Sequence, residues 1–350
     1  MQNFKERLKT THTLNQPIEI LRAFRIALEN HTTNAEWIEH KQRAEYANPW
    51  FSQENIDLSL NSWLDALTEE NISNWLSKYT FPINHSEQKV GIICAGNIPL
   101  VGMHDLFVGL MCGYKLQVKL ASTNEILPKF WIQQAAKYET SIQRIEFGDQ
   151  MKGIDLAIAT GSNNSFRYFE YYFRDIPHLL RKNRNSVAVL LGDETEEDYL
   201  ELGKDVFQYF GLGCRNVTKI FIPVGFDFKP MFDAWEKGFN TVVFHNKYAN
   251  NYNYHKALLL MNLDPHIDAG YILLKERETL HSPVGMLNYQ YYTKSEDVFG
   301  SIEAMQNEIQ CVVSNNHQFT NISLGKAQCP QLWDYADDFD TVEWMLKNRN

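Results

Sequence analysis

Five cysteines stand at positions 94, 112, 214, 311 and 329, and one of them has neighbours that chemistry can use. Cys214 lies in FQYFGLGCRN, with Gly211 and Gly213 before it and Arg215 after it. Glycines let a backbone turn sharply and approach a ligand closely. An adjacent guanidinium favours thiolate over thiol. Those are the surroundings of a nucleophile, and equally of a small residue in a tight turn; the segment alone leaves both readings open. GLGCRN also misses a dinucleotide fingerprint only at Asn216. That fingerprint needs a strand before its glycines and a helix after them. Here a helical pattern (198–210) precedes and a strand pattern (217–223) follows, so the fingerprint is excluded. Cys94 and Cys112 sit in apolar runs, Cys311 opens another, and Cys329 has only Lys326 as a nearby cation.

Other residues have types that suit a bound nucleotide or thioester. Asn97, in AGNIP, stands where a strand gives way to a helix. Its amide can join a backbone N–H as an oxyanion hole, or simply cap the helix. Lys119 and Ser122, in QVKLAS, end the next strand, where a lysine can meet a ribose or phosphate or stand in solvent. A serine there, in place of a carboxylate, tolerates a 2′-phosphate, so NADPH is expected, with NADH as the alternative; Glu125 stands close by. Thr160, Gly161 and Ser162, in ATGSNNSF, run from strand through a glycine turn to a helix, the order that offers backbone N–H groups to an anion. Arg181, Lys182 and Arg184 form a basic cluster, either a solvated loop or a contact for CoA phosphates, and Arg215 is a further candidate contact for substrate or CoA. His245 belongs to a substrate mouth or to loop packing. No metal-binding spacing such as HExxH occurs, so no metal is expected.

The elements that must position these groups are legible as alternating strands and helices. Residues 1–80 read as amphipathic helices, with Asn48, Pro49 and Ser52 as helix-start chemistry. Then come KVGIICAG as strand, IPLVGMHDLFVGLMCG as a helix opened by Pro99, KLQVKLAS as strand, LPKFWIQQAAKYE as helix and IDLAIATG as strand. SFRYFEYYFRDI follows as a helix whose aromatics read as core, then NSVAVLLG as strand and TEEDYLELGKDVFQYF as helix. This alternation predicts a doubly wound parallel sheet, whose ligands lie beyond the carboxyl ends of its strands. VTKIFIPV, NTVVFHN, GYILLKE and SPVGMLNYQYY read as strands of a second α/β domain. The expected division is a helical segment (1–80), a Rossmann-like cofactor domain (81–212), a catalytic domain (213–335) and a C-terminal tail (336–350).

A chain of 350 residues exceeds one compact core. Its formal charge of -10 argues against nucleic acid or an anionic membrane surface as a general partner. The run 91–114 is apolar enough to suggest a membrane span, but Asn97, His104 and Asp105 near its middle are costly in lipid. An odd cysteine count without CxxC fits a reducing compartment, and MQNFKERLKT lacks a signal-peptide pattern, so a cytoplasmic protein is expected.

Taken in order, AGNIP, VKLAS, TGSNN and GLGC resemble the aldehyde dehydrogenase superfamily, with Lys119 22 residues after Asn97. The chain is more similar to its acyl-CoA reductase branch, the bacterial-luminescence type that makes fatty aldehydes. RKNRNSVAVL, FGLGCRN, HNKYANNYNY, SPVGMLNYQYY and AQCPQLWDYAD carry that likeness, from about Asn48 to Asp340. The resemblance implies an aldehyde-dehydrogenase-like fold of two α/β domains and a cytoplasmic enzyme. Cys214 would accept the acyl group, with Asn97 and the Cys214 N–H holding the oxyanion. Lys119 would contact the adenosine ribose or its phosphate, and Gly161 and Ser162 the pyrophosphate. SPV (282–284) would follow the nicotinamide-ribose contact, with Thr279 in the register of the usual glutamate and Glu278 one place off. Hydrolytic members carry a glutamate and two glycines before the strand that NSVAVLL matches; here RKNRN stands there. Without that general base the thioacyl-enzyme hydrolyses slowly. The implied reaction is reduction of an acyl-CoA to an aldehyde, with CoA released. A homo-oligomer, and a partner enzyme that delivers the acyl group, are expected by analogy. The competing readings are an acyltransferase or thioesterase using Cys214 without hydride transfer, and a nucleotide-binding interaction protein without turnover.

Overall fold

The computed structural model describes residues 2–161 and 163–350. The chain forms two compact units, Met1–Asn183 with Pro330–Asn350, and Arg184–Cys329.

The first unit opens with helices α1 (Gln2–Leu28), α2 (Ala35–Ala47), α3 (Gln53–Ala66) and α4 (Glu69–Leu76). Short polar side chains start three of them. Asn34 accepts from the N–H groups of Glu36 and Trp37, Ser52 from Asn55, and Thr68 from Asn71. There follow β1 (Lys89–Ile93), α5 (Met103–Met111), β2 (Lys115–Lys119), α6 (Ile126–Ala135), β3 (Ile145–Phe147), β4 (Leu156–Thr160), α7 (Asn163–Phe173) and β5 (His178–Arg181). The five strands make one parallel sheet in the order β3-β2-β1-β4-β5. Chain order reverses between β1 and β4, so a crevice opens at the carboxyl ends of those two strands.

The helices before β1 are part of this unit's core. Phe24 on α1 packs on Phe107 of α5 at 4.7 Å and edge-on to Trp131 of α6 at 5.4 Å, all three fully buried. Each such ring contributes roughly 1.5–3 kcal/mol by leaving water. The end of the chain returns to the same core, so 336–350 is not a loose tail. Trp75 donates to Tyr335 Oη at 2.7 Å, and Tyr79 Oη donates to Asp340 at 2.6 Å. Tyr114 donates to Met345 O at 2.8 Å, holding the last helix of the chain (Thr341–Lys347).

The second unit contains β6 (Asn185–Val189), α8 (Glu196–Phe207), β7 (Val217–Pro223), α9 (Lys229–Phe239), α10 (Asn246–Met261), β8 (Ile267–Asp268), β9 (Leu273–Glu276), β10 (Met286–Tyr292), α11 (Ser295–Ala304) and β11 (Ile309–Val313). Its sheet runs β11-β6-β7-β10-β9-β8, with β8 antiparallel to β9 and the other pairings parallel. The last helix of the chain, in the first unit, is α12. The domain boundary therefore lies at 183/184 rather than 212/213. NSVAVLLG and the helix after it belong with Cys214, because β6 pairs with β7 and β11.

Three further expectations are corrected. NTVVFHN is a short 3-10 helix (Asn240–Phe244) leading into α10, not a strand. The helix after β1 starts at Met103, not Pro99; Leu100 at φ 60° and Gly102 at φ 93° turn the chain first. The aromatic run on α7 is only partly core: Tyr168, Tyr171 and Tyr172 are exposed, and Phe173 is buried. Phe169 and Phe173 supply the packed side, and the tyrosines keep their hydroxyls on the wet one.

Candidate active site

The first unit gathers one group of expected residues at the carboxyl edge of its sheet. Lys119 and Thr160 are the last residues of β2 and β4, and Ile93 at the end of β1 pairs with Lys119 and Ala159. Asn97 follows β1 by four residues and is half-buried. With the helix starting only at Met103, Asn97 does not cap it. Lys119 is exposed and donates to Asp149 O at 3.2 Å. Ser122 is exposed on a 3-10 turn (Ser122–Asn124) after β2. Glu125, the carboxylate close to it in sequence, is paired with Lys129 at 2.5 Å.

Gly161 joins β4 to α7, and its N–H donates to Arg181 O at 3.3 Å. A Cβ there would stand 2.8 Å from the Phe169 ring and 3.0 Å from Ser165 Cβ, so only glycine lets this helix begin so close to its strand. That proximity places the start of α7 directly after the carboxyl end of β4. Ser162 lies outside the described residues.

The basic cluster does not survive as a cluster. Arg181, expected as a CoA contact, is buried. Its guanidinium donates to Asp105 Oδ2 at 2.5 Å and to Thr341 Oγ1 at 2.9 Å, tying β5 to α5 and α12. A guanidinium committed to a buried carboxylate is not available to phosphate. Lys182 is exposed, with its ammonium 4.3 Å from the Phe166 ring centroid. Arg184 opens the second unit and donates to Ile309 O at 3.2 Å.

The second unit carries the thiol. Gly213, Cys214, Arg215 and Asn216 form a turn closed by Asn216 N–H to Gly213 O at 3.1 Å. The fully buried Asn216 side chain builds it from below. Its Oδ1 accepts from Gly213 N–H at 2.8 Å, and its Nδ2 donates to Asp205 O at 3.0 Å and Gln208 O at 2.8 Å. A Cβ on Gly213 would stand 2.9 Å from that Oδ1. So the residue that spoils the dinucleotide fingerprint is the one that shapes the cysteine turn. Tyr209, Phe210 and Gly211, at φ 52°, 56° and 76°, lead into it. Two non-glycine residues in the left-handed region store roughly 1–3 kcal/mol each, strain that concentrates at functional sites.

More bonds fix the turn. Ser186 Oγ donates to Cys214 O at 3.1 Å and accepts from Cys311 N–H at 3.2 Å. Arg215 donates to Ala327 O at 3.2 Å. Asp205, fully buried on α8, accepts from the N–H groups of Gly325 at 2.6 Å and Ala327 at 2.9 Å. Burial pushes its carboxyl up to about 7, against the pull of those two N–H groups. His245 caps α10 and stacks on Phe210 at 4.2 Å, four residues before Cys214.

Among the cysteines, Cys94, Cys112 and Cys311 are buried, and burial raises all three thiols, Cys94 to about 12. Cys214 is half-buried and Cys329 exposed. Asn216, Asp205 and Ser186 were not singled out from sequence. Each acts through backbone partners that residue spacing does not reveal.

The chain matches no family model and no curated protein sequence. It does match solved structures. Aldehyde dehydrogenase 21 from Physcomitrella patens, in complex with the reaction product succinate, aligns with 98% of this chain and 86% of its own, at TM-score 0.62 and 10% identity. An NAD-dependent benzaldehyde dehydrogenase from Corynebacterium glutamicum aligns with 98% and 86%, at TM-score 0.59 and 11% identity. The NAD+ complex of aldehyde dehydrogenase from Bacillus cereus aligns with 87% and 73%, at TM-score 0.58 and 12% identity. The fold is aldehyde-dehydrogenase-like. A parallel sheet and a second, mixed sheet account for the match. Among the described residues, no helix is long and apolar enough to cross a membrane.

Proposed function

We propose that the protein reduces an acyl-CoA thioester to an aldehyde, using Cys214 as the acyl acceptor and NADPH as reductant. The observation that carries this reading is the Cys214 turn: a half-buried thiol on a backbone fixed by Asn216, Ser186 and Arg215. A positioned nucleophile gains more from such pre-organisation than a core cysteine would. The reading rests besides on the ordered resemblance of AGNIP, VKLAS, TGSNN and GLGC, and on the fold.

The Cys214 sulfur attacks the thioester carbonyl, a carbon–sulfur bond to Cys214 forms, and the bond to CoA breaks. CoA leaves as thiolate and takes up a proton. In this reading Asn97 and the Cys214 N–H steady the negative oxygen. When bound, a reduced nicotinamide would supply hydride to the acyl carbon; Cys214 would hold that carbon through its thioester, and its sulfur would leave as thiolate when the resulting hemithioacetal collapses to aldehyde. Overall, acyl-CoA, NADPH and a proton become aldehyde, CoA and NADP+. Lys119, Ser122, Thr160 and Gly161 hold the dinucleotide along the carboxyl edge of the first sheet. With Glu125 neutralised by Lys129, no free carboxylate of this turn repels a 2′-phosphate, which favours NADPH over NADH. Lys182 and Arg184 remain as contacts for CoA phosphates, and His245 as a wall of the acyl mouth.

The test is NADPH consumption across a panel of acyl-CoAs, with aldehyde measured as product. Consumption matched by aldehyde supports the reductase. Acyl labelling of the protein without consumption supports a transferase instead, and cofactor binding with neither supports a binding protein.

A further inference from the structure

The segment that closes the second unit, 325–329, lies against the Cys214 turn and is held there by its backbone. Asp205 accepts from the N–H groups of Gly325 and Ala327, and Arg215 donates to Ala327 O. Cys329 N–H donates to Lys326 O at 3.1 Å. Asn216 Nδ2, bonded to Asp205 O, closes a ring of bonds that runs from the turn to α8, on to the segment and back to Arg215.

One polar group inside this arrangement is unmatched. Gln328 is 8% exposed, and its Nε2 is buried with no hydrogen-bond partner. Both amide atoms, Nε2 and Oε1, stand 3.7 Å from the place a Cβ on Gly213 would take. The whole carboxamide therefore lies against the turn, beside the residue that precedes Cys214. A buried donor without an acceptor costs stability, and native folds keep few of them. Such a group serves a buried water, or it meets an acceptor that forms during function. The acceptors of the turn are already engaged: Asn216 Oδ1 by Gly213 N–H, Cys214 O by Ser186 and Ala327 O by Arg215. The group that gains acceptor strength here is the Cys214 sulfur. A thiol accepts weakly, whereas a bond to an ionised partner is about twice as strong as a neutral one.

We propose that Gln328 is a further residue of the acyl-accepting site: its Nε2 donates to the Cys214 sulfur once the thiol has lost its proton to solvent, and so favours the nucleophilic form. This rests on the reading of Cys214 as acyl acceptor and not on the hydride step. The other titratable groups around the turn keep their own partners. Arg215 is on Ala327 O, Asp205 on its two N–H groups, and Glu201 and Lys204 pair with each other on α8. Cys311 lies 3.1 Å from Ser186 Oγ, and His245 stacks on Phe210. Lys326 and Cys329 are exposed on the segment itself.

The experiment follows alkylation of Cys214 by iodoacetamide against pH, read by mass spectrometry on the peptide that holds it. Wild type is compared with Gln328→Met, which keeps length and removes the donor, and Gln328→Glu, which replaces the donor by a charge. The midpoint of the profile should rise by about one pH unit in Gln328→Met. It should rise further in Gln328→Glu, because a carboxylate repels the thiolate. At high pH, where every thiol is ionised, the rates converge. In urea, Gln328→Met should be as stable as wild type or more so, since the amide it removes had no partner. An unmoved midpoint in Gln328→Met overturns the proposal and leaves the amide to a buried water. A Gln328→Met protein that unfolds more readily, or does not fold, also overturns it, because it has lost a bond that the proposal says is absent. If the midpoints shift as expected but wild type takes no acyl group from acyl-CoA, the reductase reading falls and the role of Gln328 at the thiolate stands.

Discussion

Asn216 Oδ1 accepts the backbone N–H of Gly213 at 2.8 Å, across the turn that carries Cys214. The same carboxamide donates to Asp205 O and Gln208 O near the end of α8, so one buried side chain joins the turn to the helix before it. Asn216→Ala leaves those groups buried without partners. A loss of roughly 2–5 kcal/mol in urea denaturation is expected. Acyl labelling of Cys214 in the folded fraction should slow about tenfold or more, because the thiol's backbone is no longer held. Unchanged stability and labelling would show that the turn holds itself.

Gly161→Ala tests the dinucleotide edge. Its Cβ would meet the Phe169 ring at 2.8 Å and displace the start of α7. Affinity for NADPH, followed by fluorescence titration, should fall about tenfold, while Cys214 labelling persists. Equal affinity in the two proteins would remove this turn from the cofactor site.

Arg181→Met separates a structural cation from a substrate contact. Asp105 would be left buried without its partner, and breaking such a pair costs roughly 3–5 kcal/mol. The KM for acyl-CoA in the remaining folded protein should not change. A raised KM with undiminished stability would return Arg181 to the substrate site.

Asp205 sets a pH dependence. Its folded value, about 7, lies above the roughly 3.9 of an unfolded aspartate. The folded protein therefore binds this proton more tightly than the unfolded chain. The associated stability is complete below pH about 4 and is lost as pH rises through 7. Asp205→Asn cannot titrate, so its melting temperature should fall less steeply than wild type between pH 4 and 7. Parallel slopes would mean that Asp205 is ionised in the fold at ordinary pH.

Legibility from sequence followed the physics of each element. β1, β4, β6 and β7 are short, mostly buried strands between parallel neighbours, β2 alternates buried Leu116 and Val118 with polar residues, and all five are legible in the sequence. Helix α10, NKYANNYNYHKALLLM, was hidden because its asparagines and tyrosines are poor helix formers and only Tyr248, Tyr252 and Leu259 are buried. Arg181 looked like surface because basic runs usually are; its partner Asp105 lies 76 positions away in sequence. Cys214 stood out by its glycines and arginine, whereas Asn216 seemed only a failed glycine. Its role depends on carbonyls at the end of α8 that no spacing rule points to. The domain boundary was misplaced because an α/β alternation reads the same whether consecutive strands share a sheet or not.

The most direct measurement of the central claim is intact-protein and peptide mass spectrometry after brief exposure to an acyl-CoA without NADPH. Wild type should gain the mass of one acyl group, mapped to the peptide containing Cys214 and discharged as aldehyde when NADPH is added. Cys214→Ala should gain none. An acyl group on Cys329 or another residue, or a label that NADPH leaves in place, would contradict the account.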